Sequence, residues 1–127
     1  MRKALLALPL LLWGTHAHAQ ATVNIAPYFY TSLGYCQITS LSSATPLTTA
    51  NCSSGSVPNL TSKIIAEICV ETAAVRYRDD GVAPTSNVGV PAVPTSSTVP
   101  LCFQYSGPLN QIQFIGTGAT VDVAFYK

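Results

Sequence analysis

Apolar and polar positions alternate most clearly in the second half of the chain. In Val75-Arg76-Tyr77-Arg78, Val75 and Tyr77 fall on one face and Arg76 and Arg78 on the other, the period of two of a half-buried strand. Thr120–Tyr126 repeats the pattern, with Val121, Val123 and Phe125 opposed to Thr120, Asp122, Ala124 and Tyr126. Residues 111–115 place Ile112 and Phe114 together. Residues 63–78 are rich in strand formers, and although 62–72 imitates a helix, no helical period is sustained over ten residues. Asp80-Gly81 supplies a turn that calls for positive φ, and Gly116-Thr117-Gly118 reads as a hairpin connection between the last two strands. Residues 90–100 contain three prolines and therefore form an edge strand or a loop.

Residues 20–62 have a different character. They are rich in Ser, Thr and Ala, and 38–59 have almost no apolar periodicity, so loop dominates with short strands only around 22–30 and 33–38. Short strands separated by frequent turns predict an all-β fold, a compact antiparallel β-sandwich. Its expected organisation is a cleaved signal helix at 1–19, a Ser/Thr-rich segment with short strands at 20–62, and a β-sandwich module at 63–127.

The signal assignment rests on the first residues. Met1-Arg2-Lys3 is a basic head, Ala4 to Trp13 is apolar, and Ala17-His18-Ala19 has the small-x-small form of a cleavage site. The apolar run is about half of the roughly 20 residues that span a bilayer, so export followed by cleavage is expected, with no stable membrane insertion afterwards. Removing 19 of the 127 residues leaves 108, and both histidines, His16 and His18, leave with the signal. Lys63, Arg76, Arg78 and Lys127 then stand against Glu67, Glu71, Asp79, Asp80 and Asp122, a net charge of −1. So neutral a domain has no electrostatic footprint for nucleic acid and no polybasic segment for anionic lipid. Without histidine it supports neither a Ser-His-Asp nor a Cys-His arrangement. No enzymatic activity and no cofactor are expected.

Four cysteines, Cys36, Cys52, Cys69 and Cys102, all follow the signal, and none form a C-x-x-C pair. In an exported chain this reads as two disulfides rather than a metal site. A domain this small buries only about 60–70% of its unfolded surface, so cross-links matter. Four cysteines allow three connectivities. Pairing Cys36 with Cys52 and Cys69 with Cys102 staples each half separately, and reduction is then expected to loosen the N-terminal segment first. The N-glycosylation patterns Asn51-Cys52-Ser53 and Asn59-Leu60-Thr61 are read as chance matches.

Arg76, Arg78, Asp79, Asp80 and Gly81 concentrate charge in a chain that otherwise has little. Calcium would require six to eight oxygen ligands, yet adjacent aspartates in a strand point opposite ways and no further carboxylate follows with loop spacing. A glycosidase pair would need carboxylates facing one another across a bond. The cluster is therefore expected to be a structural turn, its aspartates capping backbone amides and offsetting both arginines.

Two stretches, Arg76-Tyr77-Arg78-Asp79-Asp80-Gly81 with Pro84-Thr85 to Gly89, and the strands Ile112–Ile115 and Val121–Tyr126, together resemble a small β-rich module of virion-associated proteins in tailed bacteriophages. The resemblance covers about residues 71–126. It implies a non-catalytic phage or prophage protein of the decoration, fibre or host-attachment kind, working as a homo-oligomer such as a trimer. Its implied partners are other virion proteins or a host cell-surface ligand. A signal peptide and cysteines are foreign to that pattern, and the alternative is an exported bacterial envelope or surface-binding protein built on the same module. Six tyrosines on a low-charge, Ser/Thr-rich chain suit contact surfaces, although in a small sandwich most tyrosines simply pack.

Overall fold

The computed structural model describes residues 30–60 and 63–127. The signal segment at 1–19 and nearly all of the strand expected at 22–30 lie outside those residues. Nine strands follow in chain order: β1 (Ser32–Ile38), β2 (Thr45–Pro46), β3 (Ser54–Gly55), β4 (Ile65–Glu71), β5 (Val75–Arg78), β6 (Val90–Ala92), β7 (Leu101–Tyr105), β8 (Gln113–Ile115) and β9 (Thr120–Tyr126). A 3₁₀ turn at Thr49–Asn51 is the helical element among the described residues. The strands form two antiparallel sheets ordered β3-β1-β9-β4-β7 and β2-β8-β5-β6. The protein is an antiparallel β-sandwich.

Alternation explains which faces meet. β9 runs between β1 and β4, and its Val121, Val123 and Phe125 are fully buried beside Ile38 of β1 and Ile68 and Val70 of β4. Phe114 of β8 and Val75 of β5 enter the same core from the second sheet. Each such side chain contributes about 1.5–3 kcal/mol of transfer free energy. The two compositional segments share both sheets, since β1 and β3 join the first and β2 the second. Pro91 lies in β6, at an edge, where a missing N–H does least harm to the ladder.

Two connections cross between the sheets, and the second differs from the sequence expectation. The strand formers of residues 63–78 fall into β4 and β5, which do not share a sheet and are separated by a corner at Thr72, whose φ is 65°. A β-branched residue is disfavoured in that left-handed region by about 1–2 kcal/mol. Its hydroxyl is tied to the Gly118 carbonyl and to the Glu71 carbonyl, each at 2.7 Å, which holds the corner. Nor is Gly116-Thr117-Gly118 a hairpin, because β8 pairs with β5 and β2 while β9 pairs with β1 and β4. The chain crosses between sheets there, so Phe114 and Val121 enter the one core from opposite sheets instead of lying side by side. The two corners abut, and a Cβ on Gly116 would stand 2.6 Å from the Ala74 carbonyl oxygen.

The disulfides are Cys36–Cys52 and Cys69–Cys102, the pairing expected from the staple argument. Cys36 is fully buried, and its bridge ties β1 to the residues that follow the 3₁₀ turn. Cys69 and Cys102 are register partners on β4 and β7, on the solvent face, with Cys102 exposed.

Candidate functional site

The alternation of β5 sends Arg76 and Arg78 to the outer face of the second sheet, and the charged cluster splits into three separate arrangements. Arg78 pairs with Asp80 through Nη2 and, at 3.1 Å, through Nε. Asp80 Oδ1 also accepts the Val82 N–H at 3.1 Å, with Gly81 at φ 78° completing the turn. The Arg78 guanidinium, with help from the Val82 N–H, holds the Asp80 carboxyl down at about 2. Asp79 points elsewhere. Its Oδ2 accepts the hydroxyl of Tyr105, on β7 of the opposite sheet, at 2.8 Å. Burial, and next the hydrogen bond to Asp79, push the Tyr105 hydroxyl well above its ordinary value.

Arg76 has neither aspartate. Its Nε donates to the Ser86 carbonyl and its Nη1 to the Gly89 carbonyl, both at 2.9 Å. Among the described residues the Arg78–Asp80 contact is the ion pair, so the expectation that the aspartates offset both arginines holds for Arg78 alone. The reason is geometric: the β5–β6 loop folds back over Arg76 and presents carbonyls, while both carboxylates are already committed. Gly89 permits this approach, since its φ is 130° and a Cβ there would stand 2.9 Å from the Tyr77 carbonyl oxygen. Thr85 closes the loop, its backbone exchanging hydrogen bonds with Val88 and its Oγ1 accepting the Val88 N–H at 3.0 Å. The Pro-Thr-x-x-x-Gly motif is thus a loop-closing device around an arginine.

Beside this strap lies a groove of about 780 Å³. Arg76 sits in its floor, flanked in register by Ile115 on β8 and Pro91 on β6. One wall is the loop at 84–86; the other comes from residues 42–44 and the corner at 116–117. Sequence reading found Arg76 and the loop but missed the far wall, because Ser42 and Thr117 carry no local signal of proximity.

The other singled-out residues fall apart in space. Tyr35 donates its hydroxyl to Asp122 Oδ1 on the outer face of the first sheet, and that hydrogen bond, with some burial, pushes it up to about 12. Gln37 Nε2 donates to the same oxygen at 3.0 Å. Tyr77 stacks on Phe103 at 5.7 Å between ring centres. Glu67, Cys69 and Cys102 bring donor atoms within 4.8 Å of one another, but both sulfurs are consumed in a disulfide, leaving no thiolate for a metal.

The groove holds one fixed cation with N–H donors to spare, while Asp79 and Asp80 accept hydrogen bonds from Tyr105, Arg78 and Val82. In comparisons with known proteins, no family model, no curated protein and no solved structure matches this chain.

Proposed function

We propose that the protein is a non-catalytic, exported surface protein of the virion decoration or host-attachment kind. Two disulfides indicate a non-reducing, exported environment. The observation that carries the binding role is the groove beside Arg76, whose guanidinium is held by the Ser86 and Gly89 carbonyls and has no carboxylate partner among the described residues. Val82, Val88, Val90, Val93 and Val99 are each about half exposed, Val90 on the edge strand β6 and Val93 just after it, which supports self-association as a homo-oligomer or docking on a neighbouring virion protein.

The two disulfides also favour a second reading, an exported bacterial envelope or surface-binding protein, because virion parts that assemble in the cytoplasm do so under reducing conditions. Immunodetection in the cell that encodes the chain separates the two. The virion reading expects the protein in banded phage particles after prophage induction. Its presence only in periplasmic or outer-surface fractions would refute that reading and support the envelope one. Recovery as a reduced cytoplasmic protein would refute both.

A further inference from the structure

We propose that the groove over Arg76 is a binding site for an acidic saccharide of the uronic acid type. This deepens the surface-binding reading and rests on it. Charge comes first. An arginine has five N–H donors, and Arg76 spends two groups on the Ser86 and Gly89 carbonyls, Nε and Nη1. Those two bonds fix the guanidinium plane and leave Nη2 and the second Nη1 proton to meet a ligand. The half-buried cation has no carboxylate partner among the described residues. A planar, pre-oriented guanidinium matches a carboxylate in two-pronged fashion. One cation balances one negative charge, so a monoanion fits and a phosphate dianion would stay undercompensated.

The walls choose the rest of the ligand. The groove volume of about 780 Å³ lies within the range of about 300–1,000 Å³ typical of small-molecule sites. The floor and sides are apolar where Pro84, Pro91 and Ile115 line them, and the rim carries the hydroxyls of Ser42, Ser86 and Thr117. Those three hydroxyls make no hydrogen bond to other described residues. Apolar floor and hydroxyl rim suit a sugar ring, which has C–H faces and a polar edge. An acyl carboxylate would instead want a closed apolar tunnel. With a net charge of −1 after signal removal, long-range attraction contributes little, and recognition falls to this one arginine.

The test is a titration of the oxidised, isotope-labelled exported protein followed by nuclear magnetic resonance. The probes are galacturonic acid, its neutral methyl ester, galactose and acetate. Galacturonic acid is expected to shift the Arg76 Nε–H signal and the amides of Ser42, Ser86 and Thr117. The ester should bind about tenfold more weakly or worse, the loss of a charge-assisted hydrogen bond. Ser42→Glu places a carboxylate at the rim without touching the strap, and should abolish binding at unchanged Tm. No shift with galacturonic acid overturns the proposal, as does equal binding of the ester or galactose. Acetate binding as tightly as galacturonic acid overturns the saccharide assignment. If galacturonic acid fails while the protein still partitions to a particle or cell surface, this inference alone falls; the surface reading is judged by fractionation.

Discussion

Reduction of the disulfides under native conditions is expected to proceed in a defined order, with Cys69–Cys102 opening first. Cys102 is exposed and Cys69 half-buried on the outer face of the first sheet, whereas Cys36 is 0% exposed in the core. A thiol or phosphine therefore reaches the first bridge without unfolding. The sequence separations of 33 and 16 residues correspond to about 3.7 and 3.1 kcal/mol of unfolded-state restriction in the chain-entropy treatment. The exposed bridge is thus the marginally larger contributor as well as the more accessible one. The fold should survive its loss, because β4 and β7 keep a register of five residue pairs from Ala66–Tyr105 to Val70–Leu101. Tm should fall by roughly 15–30 °C for a domain of this size. The assay is a time course of mild reductant, rapid alkylation and peptide mapping, with melting of the trapped species. A two-thiol intermediate alkylated at Cys69 and Cys102 is expected. Alkylation of Cys36 and Cys52 first, or of all four at once, would refute the reasoning. The burial of Cys36 thereby reverses the order that the loop-like composition of residues 38–59 suggests.

Tyr105→Phe and Asp79→Ala should each cost about 1–2 kcal/mol in urea unfolding, and the double variant less than their sum, since both delete the same hydrogen bond between sheets. Added calcium should leave Tm unchanged in the parent protein and in both variants; a calcium-dependent rise in the parent alone would contradict the structural role of the turn. Tyr35 and Tyr105 are raised above the ordinary value of 10.0 in the folded state, so their contribution is complete below pH 10 and is lost as pH climbs through the folded values, about 12 for Tyr35. Alkaline melts should show this decline, and Tyr105→Phe should flatten it. Light scattering at micromolar concentration should detect a homo-oligomer that dissociates on Val90→Lys or Val93→Lys, because both valines are more than half exposed beside the β6 edge; a monomer in the parent protein would rule this out.

Much of the fold follows from a period of two and a few turn residues. Val75 and Tyr77, or Val121, Val123 and Phe125, must share a face whatever their neighbours are, because successive side chains of a strand point opposite ways. Asp80-Gly81 announces its turn because glycine tolerates φ 78° without cost. The cysteine pairing was legible because each bridge closes within a region that strands or loops already hold near itself. Where a connection leads was not legible: Gly116-Thr117-Gly118 has the composition of a hairpin, and only the demand that Phe114 and Val121 fill one core from opposite sheets makes it a crossing. Thr72 is similar, a poor residue for its own backbone conformation, kept there by a bond to Gly118, 46 residues away. The partners of charged groups were decided at the same level. Asp79 finds a tyrosine 26 residues away and Arg76 finds carbonyls of its own loop, since which acceptor is nearest depends on how the sheets stack. The groove belongs wholly to the tertiary structure, because residues 42–44, 84–86 and 116–117 meet only when two corners and a folded-back loop close around one arginine.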